Sequence, residues 1–162
     1  MDIKTLLPDS SKLVGINAAK AVLKHPELMH AFFELAVANT NIYSRRASYV
    51  IETCYSMNPS STAHLTKDIL HHLPSVKIEG VKRSFLKMMS FLDFSKDEEA
   101  QAILLNLCFD TLNNPAEAIA VRMYSSKTLF NISKYIPEIK QELISSIEFM
   151  MPEASPGLKS VG

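Results

Sequence analysis

Three side chains of one predicted helix, at residues 61–73, have the types and spacing of metal ligands. His64, Asp68 and His71 are four and three residues apart, so their side chains share one helical face. Two imidazoles and a carboxylate could ligate zinc. A solvated polar face explains the same spacing without a ligand and is the favoured interpretation. We therefore expect no metal ion and no cofactor.

The remaining candidates for catalysis are two cysteines and one glutamate–histidine pair. Glu27 and His30 form a Glu-x-x-His pair, but a di-iron site needs two such pairs and two further glutamates. Cys54 and Cys108 lie in apolar helical segments, which favours buried structural thiols over nucleophiles. The chain has no Gly-x-Ser-x-Gly motif, no phosphate-binding glycine loop and no His-Glu-x-x-His motif. We therefore expect no catalytic residue and a role other than catalysis.

The composition limits the class of protein. The 162 residues are the length of one domain, with 17 basic and 17 acidic residues. Balanced charge argues against a protein that grips nucleic-acid phosphates, since such proteins usually carry a basic excess. No apolar run approaches the roughly 20 residues that span a bilayer, and the apolar stretch at the N-terminus is too short for a signal peptide. Without such a segment, we expect no membrane binding. Two buried free thiols fit a reducing compartment, so we expect a cytoplasmic protein.

Proline residues separate the apolar segments, as expected if each proline stands at a helix start. Within the segments the apolar residues follow helical spacing, as on the face formed by Tyr43, Ala47, Val50, Ile51 and Cys54. No segment of comparable length alternates with a period of two, so we predict no strand. The predicted helices cover residues 10–24, 26–38, 40–57, 61–73, 78–93, 97–113, 115–135 and 137–151, and a last one starts near residue 155.

Equivalent apolar positions recur along the chain at Tyr43, Val81, Val121 and Leu158, with spacings of 38, 40 and 37 residues. Periods of about 20–50 residues are typical of solenoids, because one helical hairpin cannot bury its apolar face alone. We therefore predict an all-α solenoid of about four helical hairpins in a single domain, residues 1–162. An irregular helical bundle is the alternative. Since the last predicted helix is short, we expect either that it is truncated and the natural protein continues past Gly162, or that it frays.

Five short stretches resemble the HEAT repeat, a member of the armadillo-like helical repeats. Pro26–Leu28 and Phe32–Leu35, followed after a gap by Arg45–Ala47, are similar to one such repeat. Gly80–Arg83 and Ala120–Arg122 are similar to the start of its second helix, where a valine precedes a basic residue. The aspartate that such repeats often carry before the second helix is absent or displaced. The resemblance covers most of the chain and implies a right-handed α-α superhelix (HEAT/ARM-like) whose second helices line a concave binding surface.

The chain is also similar to short bacterial helical-repeat proteins that sometimes carry the label adenylosuccinate lyase. The enzymes of that name have much longer chains, catalytic histidines and a mobile loop with a Ser-Ser-x-Met-Pro motif. The stretch Met57–Ser61 reads Met-Asn-Pro-Ser-Ser and does not match that motif. We therefore interpret the lyase label as mistaken, and a lyase or another enzyme with an unrecognised site is the least favoured function.

A row of side chains opposite the apolar faces is the predicted binding surface. Three aromatic or polarisable apolar side chains are expected on solvent-exposed faces: Tyr49, Met123 and Phe130. Such side chains are enriched where proteins bind one another. Coverage of Phe130 by another segment is the alternative explanation. The basic residues between these groups favour an acidic or helical protein partner. The predicted residues of this concave face are Arg45, Tyr49, Glu52, Arg83, Lys87, Arg122 (at its edge), Met123, Lys127 and Phe130.

These residues predict a non-catalytic scaffold for protein–protein interaction. The alternative is a nucleic-acid-binding protein similar to the HEAT-like DNA glycosylases, which combine stacking tryptophan and tyrosine with an acidic residue on a strongly basic surface. The absence of tryptophan and the zero net charge argue against that alternative. The sequence predicts neither the partner's identity nor an oligomeric state.

Overall fold

Helices make up all the regular structure in the computed structural model, which describes residues 2–150. The predicted all-α fold class is thereby confirmed, and no strand occurs in this range. None of the helices in it is long and apolar enough to cross a membrane. The α-helices are α1 (Lys12–Lys24), α2 (Met29–Val37), α3 (Asn41–Met57), α4 (Thr66–His72), α5 (Glu79–Met89), α6 (Glu98–Leu112), α7 (Ile119–Ser133) and α8 (Lys140–Met150).

Three prolines stand at helix starts, but each opens a 3-10 helix instead of an α-helix. Pro26, Pro59 and Pro137 each begin a short 3-10 helix, and an α-helix follows it directly. Proline lacks an N–H and has a fixed φ, which suits the first turn of either helix type. The predicted segments starting at residues 26, 61 and 137 therefore combine 3-10 structure with α2, α4 and α8.

The predicted helix start at residue 115 is wrong, because α7 begins at Ile119. Oδ1 of Asn114 accepts a hydrogen bond from the backbone N of Ala116 (2.9 Å), and the N of Glu117 donates to the carbonyl oxygen of Asn114 (3.1 Å). Asparagine favours such turns because its side chain bonds to its own backbone two residues on. The helix predicted to start near residue 155 lies outside the described residues.

Backbone contacts divide the chain within α5, between Phe85 and Leu86, into two compact units. In the first unit, α3 packs against both α1 and α2. The ring of Phe33 stacks on that of Phe85, with centroids 6.4 Å apart. It also forms a T-shaped contact with the ring of His72, with centroids 5.3 Å apart. Burying one such ring contributes about 1.5–3 kcal/mol to folding. The prediction that residues 1–162 form a single domain stays a prediction.

Asn39 ties the turn between α2 and α3 to the segment that leads into α5. Its Nδ2 donates to the carbonyl oxygen of Ser75 (3.3 Å), and its Oδ1 accepts from the backbone N of Lys77 (2.9 Å). Its φ of 56° lies in the left-handed region, which asparagine adopts more readily than most residues. Two hydrogen bonds thus hold the start of α5 beside α3 within the first unit.

In the second unit, α7 packs against α6 and α8. The apolar side chains of Val121, Leu129 and Ile132 on α7 are buried. Nδ2 of Asn131 donates to the carbonyl oxygen of Ser90 (2.6 Å) and so ties α7 to the segment after α5. The core of this unit is therefore built around one face of α7.

Candidate functional site

The first unit contains a groove of about 360 Å³, which we call the arginine groove. Its walls come from the first turns of α1, the first half of α3, the N-terminal half of α5 and the segment before α1. The amphipathic helices turn their apolar faces inward, which leaves polar side chains at this surface. The lining of the arginine groove includes Leu7, Asp9, Ser10, Lys12, Val14, Gly15, Arg45, Arg46, Tyr49, Gly80 and Arg83.

Three of the chain's four arginines line the arginine groove. Nη2 of Arg45 and Nε of Arg46 both donate to Oγ of Ser10, each over 2.9 Å. Arg46 also donates from Nη1 to the carbonyl oxygen of Leu7 (2.9 Å). The third, Arg83 on α5, is exposed. Ser10 therefore fixes two neighbouring guanidinium groups, while the third reaches the groove from another helix.

The charged groups of the arginine groove are four cations and one carboxylate, since Lys12 joins the three arginines and Asp9 is the acid. Hydrogen bonds from Ser11 lower the pKa of Asp9, and the charge of Arg46 lowers it further. One of these hydrogen bonds runs over 2.8 Å from the backbone N of Ser11 to Oδ1 of Asp9. Asp9 is therefore ionised at neutral pH, and the groove still carries excess positive charge on a chain of zero net charge.

Gly15 and Gly80 are the glycines found between residues 2 and 150, and both line the arginine groove. A Cβ atom added at Gly80 would lie 2.6 Å from Cγ of Arg45, and one added at Gly15 would lie 2.6 Å from Cδ2 of Tyr49. Both separations are far inside van der Waals contact. Glycine at these positions lets the two side chains of α3 lie against neighbouring helix backbones, although glycine costs a helix interior about 1 kcal/mol relative to alanine.

A second depression, of about 350 Å³, adjoins the arginine groove and shares Arg45, Gly80 and Arg83 with it. The two arginines therefore lie where the two hollows meet. Ile42 in the second depression is a large aliphatic side chain that is 40% exposed. The rest of this lining is Asn41, Ile42, Ile78 and Glu79.

The family model of the HEAT repeat domain matches residues 7–162. The chain belongs to the HEAT repeat family. The resemblance found in the Val-Lys and Val-Arg pairs at second-helix starts is thus confirmed. HEAT repeats typically mediate protein interactions, and their fold is that of an interaction scaffold. No curated protein and no solved structure matches the chain.

In this HEAT repeat protein, three of the nine predicted binding residues line the arginine groove: Arg45, Tyr49 and Arg83. Glu52, also on α3, is half-buried and is not part of the groove lining. The other five lie in the second unit, where their exposure differs. Lys127 and Phe130 are exposed, Lys87 and Met123 are half-buried, and Arg122 is buried.

The position of Arg122 differs from the sequence-based expectation that it lies at the edge of the binding surface. Its side chain is only 3% exposed, and its Nε donates to the carbonyl oxygen of Leu112 over 3.0 Å. Leu112 is the last residue of α6, where helix carbonyls have no partner within the helix. Arg122 therefore caps α6 from α7, a structural role, and we leave it out of the proposed binding surface.

Among the groups of the arginine groove that the sequence analysis missed are Lys12, Arg46 and the two glycines. Lys12 and Arg46 reach the groove from the N-terminal end of α1 and from a different face of α3, which helical spacing alone does not bring together. One usable signal was present, because an isolated glycine inside a helical pattern often marks a close approach or a functional position. Gly15 is such a glycine.

The histidines of the 61–73 segment show no arrangement suited to a metal ion. His64 and Asp68 are exposed, and the carbonyl oxygen of Asp68 lies 2.8 Å from Nδ1 of His72. In the described part of the chain, no three side chains of histidine, cysteine, aspartate or glutamate are grouped closely enough to hold a metal.

Both cysteines are free thiols in the core. Burial raises the pKa of Cys54 to about 11 and that of Cys108 to about 12, the latter against a smaller opposing effect of the Ser125 hydroxyl. The thiolate is the reactive form of cysteine, so both side chains are poor nucleophiles at neutral pH.

Proposed function

We propose that this HEAT repeat protein is a non-catalytic scaffold that binds a partner protein in the arginine groove. The observation that carries the proposal is the convergence of Arg45, Arg46 and Arg83, from α3 and α5, on one groove with a single carboxylate. Arginine forms bidentate hydrogen bonds with carboxylates and is the basic residue most suited to interfaces. A partner that presents acidic residues satisfies this charge.

Tyr49 supports the same proposal from the apolar side. Its ring lies against Gly15 and is half-buried, so part of its surface faces the groove. Tyrosine and arginine are the residue types that most often dominate binding energy at protein interfaces, because each combines a large contact area with directed hydrogen bonds. The groove therefore offers both the charge and the contact area that a protein partner uses.

A further contact region is proposed on α7 in the second unit. Phe130 is 48% exposed, and Nζ of Lys134 lies 5.1 Å from the centroid of its ring. Lys127 is exposed and Met123 half-buried on the same helix. Lys87 on α5 completes this proposed set. The set lies in the second unit and the arginine groove in the first, so each needs its own variants.

Nucleic-acid binding has less support than protein binding. Proteins that hold single strands combine a basic groove with aromatic platforms on which bases stack. The lining of the arginine groove offers one aromatic ring, that of Tyr49, which is half-buried, and the whole chain carries no basic excess. Two buried free thiols support the proposal that the protein resides in the reducing cytoplasm.

The proposal is tested by affinity capture from native cell extract, with nuclease added to half of each sample. The test variant is Arg83→Glu, because Arg83 is exposed and its replacement leaves the core intact. The matched control is Lys67→Glu, which reverses an exposed charge on α4 outside the groove. We expect a protein partner that withstands nuclease, is retained by the control and is lost with Arg83→Glu. A partner set that is identical for all three proteins would refute the groove as the binding site, and capture that nuclease abolishes would favour nucleic acid.

A further inference from the structure

The two hollows that meet at Arg45 and Arg83 differ in what they offer a bound segment. On one side, the arginine groove presents the half-buried side chains of Val14 and Tyr49. On the other side, the second depression presents Ile42 and Ile78. The surface thus has a positively charged centre with an apolar area on each side of it.

The two arginines at the centre are prepared for a carboxylate. The bond to Ser10 and the close approach to Gly80 fix the stem and one Nη of Arg45, so little rotamer freedom is lost when it binds. Arginine has five N–H donors, and one of those of Arg45 is used by Ser10 among the described residues. Arg83 adds a second guanidinium from α5, opposite α3.

One acidic group in each hollow restricts where a partner can place its own carboxylate. Asp9 lies in the arginine groove, and Glu79 lies in the second depression. Like charge disfavours a partner carboxylate directly beside either of these side chains. Lys12 and Arg46 line the arginine groove together with Asp9, so the positive charge that both hollows share is that of Arg45 and Arg83, and it favours an acidic residue of the partner where the hollows meet.

From this pattern we infer that the site binds an extended segment of a partner protein in which one acidic residue is flanked, two positions before and two positions after, by apolar residues. In an extended chain, side chains two residues apart face the same side, so the acidic side chain and both apolar ones reach the surface together. The inference rests on the proposed function and specifies the partner's chemistry. The partner motif is apolar-x-acidic-x-apolar.

The experiment selects peptides from a random-sequence phage library on the full-length protein and measures the enriched peptides, fluorescein-labelled, by anisotropy. We expect a consensus with one acidic residue between apolar residues two positions away. Replacing the acidic residue by its amide, or Arg83 by glutamate, weakens binding about tenfold or more, because a bidentate charged pair is lost. Lys67→Glu leaves the affinity unchanged.

A charge swap separates a specific pair from general attraction. A peptide with lysine at the centre is expected to bind the Arg83→Glu variant more tightly than it binds the unaltered protein. Enriched peptides that lack an acidic centre would overturn the inference, and so would acidic peptides whose affinity does not depend on Arg83. The inference is also overturned if a single-stranded oligonucleotide displaces the labelled peptide at a lower concentration than unlabelled peptide does. A nuclease-resistant partner lost with Arg83→Glu, together with no enriched consensus, would overturn the motif and leave the scaffold proposal standing.

Discussion

The ring of Tyr49 on α3 lies so close to Gly15 on α1 that a Cβ atom at position 15 would stand 2.6 Å from its Cδ2 atom. This contact joins the wall of the arginine groove to the packing of the first unit. A side chain at position 15 must push the ring aside, and the ring then no longer lines the groove in its present place. Groove shape and helix packing therefore depend on the same glycine.

Replacing Gly15 by alanine is expected to lower the free energy of unfolding. Overpacking a close contact costs about 1–3 kcal/mol, whereas alanine gains about 1 kcal/mol over glycine in helix propensity. The net loss is therefore small, about 1 kcal/mol, and urea unfolding followed by circular dichroism measures it. Asn17→Ala, at an exposed position of α1, is the matched control and should raise stability slightly. If Gly15→Ala also stabilises the protein, the Tyr49 ring moves without cost and the contact is not a packing constraint.

Gly80→Ala is expected to displace the stem of Arg45 without unfolding the protein, because a flexible side chain can move away from the new methyl group. The bond from Arg45 to Ser10 should then be lost. The chain has only four arginines, so their Nε–Hε signals can be followed individually in a ¹⁵N NMR spectrum. We expect the Arg45 signal to shift and the buried Arg122 signal to stay in place. An unchanged Arg45 signal would contradict the close approach.

The helices could be predicted because proline positions and helical spacing are local properties of the sequence. The exception, at residue 115, arose where Asn114 forms a turn with its own backbone and outcompetes the first helical turn. Arg45, Tyr49 and Arg83 were predicted for the same reason, since each stands opposite the apolar face of its helix.

The rest of the site depends on contacts between residues distant in sequence. Arg46 reaches the groove through bonds to Leu7 and Ser10, which lie more than 30 residues earlier in the chain. Arg122 was assigned to the edge of the surface from its position relative to the apolar face of its helix. Its long side chain instead spans to the end of α6, which no spacing pattern within α7 reveals.

Replacing Arg122 by methionine is expected to destabilise the second unit, because methionine fills similar space but leaves the carbonyl oxygen of Leu112 without its donor. An unsatisfied buried acceptor costs about 1–3 kcal/mol. Urea unfolding should show this loss, while Lys127→Ala, at an exposed position of the same helix, should stay within about 0.5 kcal/mol of the unaltered protein. Equal stability of the two variants would mean that the bond to Leu112 is not needed.

Asn39 offers a separate test of how the start of α5 is held beside α3. Asn39→Gly keeps the left-handed backbone but removes both side-chain hydrogen bonds, and Asn39→Ala also strains the backbone at φ 56°. We expect both to be destabilising, with alanine worse by about 1 kcal/mol. Thermal unfolding of the two variants side by side measures the difference. If the Asn39→Ala variant is as stable as the Asn39→Gly variant, the backbone at residue 39 relaxes out of the left-handed region.

The two buried thiols predict a dependence of stability on alkaline pH. Their pKa values rise from 9.0 to about 11 for Cys54 and about 12 for Cys108, so the folded state favours the neutral thiol. Since the folded pKa lies above the unfolded one, this contribution is complete below pH 9.0 and is lost as the pH rises through the folded values. Urea unfolding of the unaltered protein should therefore lose more stability between about pH 8 and about pH 10 than a Cys54→Ala, Cys108→Ala double variant does.

Alkylation kinetics give an independent measurement of the same burial. A pKa two units higher leaves about 100-fold less thiolate at a given pH below both values, so native Cys54 should react with iodoacetamide at least that much more slowly than in denaturant. The Cys108→Ala variant isolates this signal. A native rate equal to the denatured rate would show that Cys54 is open to solvent, and the stability difference expected at alkaline pH would then have no basis in the core.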